Sequence, residues 1–143
     1  GRLVRRAAAA VSLALLTASC STPATVGALS SDFSDVFAGR YLGQRALLGP
    51  IVVTRATLHA QSRCRRSGPA KEGPGEDWVC LVRYDDPDGP ATQSFELQVK
   101  PDGCWTAEGS ATAQPPVLAN PETGAVSVNP LAEFDGCLDT SWR

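Results

Sequence analysis

The sequence predicts an α+β domain: one N-terminal helix packed on a four-stranded antiparallel meander, two disulfides and a Pro-rich C-terminal tail. Three observations carry this. Apolar residues recur at helical spacing once, between residues 31 and 48. Period-two alternation then recurs in runs separated by Gly-, Pro- and Asp-rich turns. Four cysteines, Cys64, Cys80, Cys104 and Cys137, fall on or after those runs.

Ahead of the domain, residues 1–19 read as a secretory signal peptide. Arg2, Arg5 and Arg6 precede an apolar run from Ala7 to Leu16, and Ala18-Ser19-Cys20 supplies small residues before a cysteine. The run is shorter than the roughly 20 residues a spanning helix needs. A signal that ends at Cys resembles a bacterial lipoprotein signal, in which Cys20 is acylated and becomes the new N-terminus. Thr17 stands where such signals usually carry Leu, with Leu16 displaced by one. Cysteine count supports the reading: five is odd, and lipid on Cys20 leaves four to pair. The twin arginine Arg5-Arg6 is followed only by Ala, which does not make a twin-arginine signal. With no Met in the sequence, the start codon is expected upstream of Gly1.

Beyond residue 19, 124 residues remain, enough for one domain, expected over 31–143. Thirteen basic side chains less the three leader arginines leave ten against fifteen acidic ones, a net charge of −5. Such a field disfavours nucleic acid and anionic surfaces as partners. The predicted location is the extracytoplasmic face of the cell membrane, reached through the lipid. Eleven Arg against two Lys, with abundant Ala, Gly and Pro, suggest a GC-rich bacterial genome.

Residues 20–30 form the expected lipidated tether, small, polar and broken by Pro23 and Gly27. Ser31 is the expected helix cap, with Asp32 and Asp35 in the first turn and Phe33, Val36, Phe37 and Tyr41 as the apolar stripe. Gly39 and Gly43 weaken that helix by about 1 kcal/mol each, so packing on the sheet must hold it. From Val52 to Cys64 small or apolar residues alternate with Arg55, Thr57, His59, Gln61 and Arg63, the pattern of a half-buried strand. A loop over 65–77 follows. Two further strands are Trp78 to Asp85 and Gln93 to Lys100, joined by Asp86-Pro87-Asp88-Gly89-Pro90. Pro101-Asp102-Gly103 leads to a fourth at Cys104 to Glu108. After Gly109, prolines at 115, 116, 121 and 130 break the pattern, with a short strand or turn over Ala125 to Val128.

Four cysteines allow three connectivities. The strand reading puts Cys64 and Cys80 on apolar faces of adjacent strands, and so predicts Cys64–Cys80, leaving Cys104–Cys137 to clip the tail. An exported compartment favours oxidation, and no C-x-x-C pair argues for a metal, so neither metal nor cofactor is expected.

The run Cys64…Trp78-Val79-Cys80-Leu81-Val82, Asp88-Gly89, Phe95-Glu96-Leu97-Gln98-Val99 and Asp102-Gly103 resembles a group of small actinobacterial lipoproteins of unknown function. The resemblance covers residues 31–108 and implies a helix followed by a Cys-bridged antiparallel sheet. It brings no catalytic residues.

Three constellations carry residue types suited to chemistry. Asp85, Asp86 and Asp88 before Gly89 have part of a calcium loop, but the closing acid is missing and a hairpin turn accounts for them. His59, the one His, stands on the polar side of its run without a fixed partner. No Gly-x-Ser-x-Gly elbow accompanies it, so no enzyme is expected. Arg63, Arg65, Arg66 and Lys71 form a basic cluster around the 65–77 loop, suited to an envelope protein or polymer. The expectation is a membrane-anchored, non-catalytic binding or accessory domain of the cell envelope. The alternative is a protease inhibitor presenting the 65–77 loop.

Overall fold

The computed structural model describes residues 24–50 and 53–138. Its elements are α1 (Val26–Leu48), α2 (Arg55–Leu58), β1 (Gln61–Arg66), β2 (Gly75–Asp86), β3 (Gly89–Val99), β4 (Cys104–Gly109), β5 (Val117–Ala119), β6 (Val126–Val128) and β7 (Glu133–Cys137). Strands order as β1-β2-β3-β4-β7 in one antiparallel sheet, with β5 and β6 a separate hairpin.

Helix α1 starts five residues before the expected Ser31. Thr25 caps it, its Oγ1 accepting from Ala28 N at 3.1 Å. The reason is Leu29, which extends the stripe Phe33, Phe37, Tyr41 by one turn at i, i+4 spacing; all four are buried. Val36 lies at the core margin. Ala24, inside the span expected for the tether, is also buried. Gly39 and Gly43 do not face the sheet: Arg55 crosses Gly39 and donates to the Asp35 carbonyl at 3.0 Å, and Gly43 lies beside Pro130.

The strand expected from Val52 is a correction. Val52 itself lies outside the described residues. Thr54 and Thr57 instead cap each other across one helical turn, and the strand begins only at Gln61. Thr54, Ala56, Ala60 and Ser62 alternate correctly but offer little apolar bulk; Leu58 is the one large anchor of the run, and the turn buries it fully.

The sheet's inner face packs on α1. Trp78, Cys80, Val82 and Tyr84 from β2 meet Phe95, Leu97 and Val99 from β3, then Trp105, Ala107 and Phe134. Phe33 sits at the middle, its ring centroid 5.5 to 5.6 Å from those of Phe95, Trp105 and Phe134. Gly136 stands opposite Trp105, and a Cβ there would overlap the indole.

The meander has five strands where four were expected. The fifth, β7, returns from the tail and pairs with β4 in the register Cys104↔Cys137, Ala107↔Phe134. Both predicted bridges form, Cys64–Cys80 and Cys104–Cys137. Each joins residues directly opposite in the ladder. Between β4 and β7 the chain makes the β5–β6 hairpin, which includes the short strand expected near Ala125 to Val128. A buried amide cluster ties this tail to α1. Gln44 Nε2 donates to Gln114 Oε1 at 2.9 Å and Asn129 Oδ1 at 3.0 Å, and Asn129 Nδ2 donates to the Pro115 carbonyl at 2.8 Å.

Candidate functional site

The basic cluster read from the sequence separates in three directions. Arg66 is not free to bind: its Nε and Nη2 donate to Asp77 Oδ1 at 2.9 and 2.6 Å, and its Nη1 donates to the Glu72 carbonyl. Asp77 Oδ2 also accepts from Gly68 N at 2.8 Å. The Arg66 hydrogen bonds, then the one from Gly68, hold the Asp77 carboxyl below the ordinary carboxylate value. The loop expected over 65–77 is thereby shortened to 67–74, both ends having joined strands. Gly73 N donates to the Ala24 carbonyl and Trp78 Nε1 to the Gly73 carbonyl, each at 2.9 Å, so the loop is pinned to the start of α1. Lys71 is left exposed between these pins.

Arg63 and Arg65 point the other way, onto the sheet face that α1 does not cover. Alternation along β1 sets them opposite in sense to buried Cys64, and both are exposed. Arg83 of β2 joins them there, across from Gln61. The same face carries Glu96, Glu108 and Glu133, which the ladders place side by side on β3, β4 and β7. With Glu76, Gln98 and Thr106 they line a shallow depression of about 190 Å³. Among the described residues, no ion pair involves Arg63, Arg65, Arg83, Glu96, Glu108 or Glu133.

The aspartates before Gly89 are divided by the strand rather than gathered into a loop. Asp85 faces His59, Nδ1 to Oδ2 at 2.9 Å, and both side chains are more than half exposed. The His59 backbone is left-handed, φ 47°, at the end of α2. Sequence reasoning missed this partner because it assigned His59 to a strand. Asp86 turns to the opposite side, where it accepts from Tyr41 Oη and from Arg45 Nη2, the latter at 2.6 Å. Among the described residues no group of three or more His, Cys, Asp or Glu side chains is placed to hold a metal.

Arg45 and Asp86 open onto a cleft of about 330 Å³ at the end of the sheet, with Tyr41, Tyr84, Gln93 and Gln114 around it. Gln93 Nε2 donates to Tyr84 Oη at 2.6 Å, and Gln114 Nε2 to Gln93 Oε1 at 2.7 Å. Burial raises the Tyr84 hydroxyl pKa against the opposing Gln93 hydrogen bond, so it stays protonated at neutral pH. This cleft offers phenol and amide hydrogen bonding around a neutralised charge pair. Its polar groups already satisfy one another, which suits structure more than proton transfer.

Of the predicted site residues, Cys20 lies outside the described residues. No known family matches the chain, and neither a curated protein nor a solved structure matches it.

Proposed function

We propose that this chain is a lipid-anchored lipoprotein on the extracytoplasmic face of the membrane, like the small actinobacterial lipoproteins it resembles. Its domain serves the cell envelope as a non-catalytic binding or accessory module. One observation supports the reading above the rest. Two bridges take Cys64, Cys80, Cys104 and Cys137, so Cys20 alone of five cysteines stands outside them, in the place a lipid requires. Two disulfides in so small a domain also accord with an oxidising compartment. Cys20→Ala should move the protein from the membrane to the soluble fraction and remove the acyl mass from its mature N-terminus. Unchanged fractionation of that variant would overturn the anchor.

A second reading, a protease inhibitor, draws on the 67–74 loop. Lys71 is exposed on a segment stapled by Arg66–Asp77 at one end and by Gly73 to Ala24 at the other. Preorganised loops of this kind lose little entropy on entering a protease cleft. The intact protein should then inhibit a trypsin-like protease and Lys71→Ala should lose that inhibition. Ready cleavage after Lys71 with no inhibition leaves the first reading alone.

A further inference from the structure

Among the described residues nothing covers the sheet face opposite α1, and this face is divided by charge. Arg63, Arg65 and Arg83 hold the β1–β2 side, with Glu76 and Asp85 as acidic exceptions toward the two ends of β2, while Glu96, Glu108 and Glu133 hold β3, β4 and β7. Val79 and Leu81 lie between the two halves, and Leu81 is 44% exposed. Register sets Arg65, Val79, Glu96, Glu108 and Glu133 in a single row across all five strands. Three glutamates directly abreast repel one another. A wet sheet face would be served as well by threonine or glutamine, so the fold gains nothing from this row.

A face basic on one half, acidic on the other and apolar between them is complementary to itself after a half-turn. We propose that this face is the contact between two copies of this chain, packed sheet on sheet about a two-fold axis parallel to the strands. With the axis between β2 and β3, β1 of one copy lies over β4 of the other. Arg65 then faces Glu108 of the second copy, twice by symmetry. Val79 and Leu81 fall beside the axis, over Glu96 and Ser94 of the second copy. The other in-plane axis, across the strands, would set arginine on arginine and glutamate on glutamate, and the charges rule it out. The inference does not use Cys20, so it stands or falls apart from the anchor.

Strength follows from size. With the axis between β2 and β3 four strands overlap; about 4.8 Å apart, each presenting about five residues of about 3.4 Å rise, they make a contact of roughly 330 Å² per copy. A stable interface buries about 800 Å² per partner. The dimer is therefore weak and electrostatic, and salt that shortens the Debye length to about 3 Å should dissolve it.

Sedimentation velocity on the full chain, with both bridges formed, tests this. At low ionic strength and about 100 μM the chain should show reversible dimer; about 1 M salt should weaken association at least tenfold. Arg65→Glu alone and Glu108→Arg alone should each be monomeric, since each homodimer would oppose like charges. An equimolar mixture of those two variants should dimerise again, because Glu at 65 then faces Arg at 108 and Arg65 faces Glu108. The mixture also guards against misfolding, which mixing does not repair. A monomeric parent chain at low salt, salt-insensitive association, or single variants that stay monomeric when mixed would each overturn the proposal. Failure with another protein bound to the face in its place would assign the face to that partner instead.

Discussion

The two edges of the sheet are closed by the same bond in opposite surroundings. At the β1–β2 edge, Cys64–Cys80 lies on the inner face, 1% and 0% exposed, beneath α1. At the β4–β7 edge, Cys104 and Cys137 lie on the outer face and are half-buried. One residue of strand parity makes the difference: Cys104 precedes the buried Trp105, whereas Cys80 is itself the buried residue and follows outward-facing Val79. The comparison separates two contributions of a bridge. The outer one restricts the unfolded chain and does little else. The inner one does that and also fills the core.

Replacing each pair by serine should sharpen this. In the chain-entropy model, a separation of 16 gives about 3 kcal/mol and one of 33 nearly 4 kcal/mol. Closure alone therefore ranks the outer bridge higher. Burial reverses the order, because hydroxyls at 64 and 80 would be stranded in the core at about 1 kcal/mol or more each. Cys64→Ser with Cys80→Ser should destabilise by about 5 kcal/mol, and Cys104→Ser with Cys137→Ser by about 4 kcal/mol. Urea unfolding of both pairs measures the gap. A larger loss from the outer pair would show that closure outweighs burial.

The outer edge has a second clip in Asn129. Asn129→Ala removes an amide 1% exposed and takes one hydrogen bond each from Gln44, Gln114, the Pro115 carbonyl and Leu131 N. It should cost about 2 kcal/mol and raise amide exchange in β5, β6 and β7 before any other strand. Exchange rising equally in β1 would mean that the tail is not an independent unit.

The smallest effect belongs to the loop at the inner edge. Asp77 titrates below its ordinary value of 3.8, chiefly through its hydrogen bonds from Arg66 and Gly68. A carboxyl lowered by folding stabilises fully above its unfolded value and loses that contribution as pH falls through the folded one. Protection of the Ser67 and Gly68 amides should therefore decline below about pH 4, while the protection of Cys80 and Val82 holds. Asp77→Asn should remove the pH dependence. Asp32 behaves in the opposite sense. Partial burial raises its pKa against the Trp105 hydrogen bond, so its charge favours unfolding as pH climbs above 3.8.

Side-chain parity was the most legible part of the fold. Alternation counted from Trp78 put Cys80 on the buried face, and the pairing of both bridges followed. Where alternation rested on small residues, between 54 and 62, it misled, because a threonine cap competes with a strand at no loss of burial. Strand β7 was hidden for another reason. It is five residues long with Phe134 as its one buried anchor, and its partner lies far back in the chain. The divided sheet face was illegible for the same reason. Glu96, Glu108 and Glu133 become neighbours only through two ladders, the second of which closes over the whole tail.

The placement of the bridges also bears on how fast the sheet can assemble. Its two central pairs, β2–β3 and β3–β4, are joined by the tight turns at 87–88 and 100–103. Its two outer pairs span longer connections, and those are the pairs that carry Cys64–Cys80 and Cys104–Cys137. In the oxidised chain every neighbouring pair of strands is thus already close, so no ladder awaits a long diffusive search. Strand pairing with the bridges intact should be fast. Reduction should slow β4–β7 docking more than β1–β2 docking, because thirty-three residues rather than sixteen must then find their own closure.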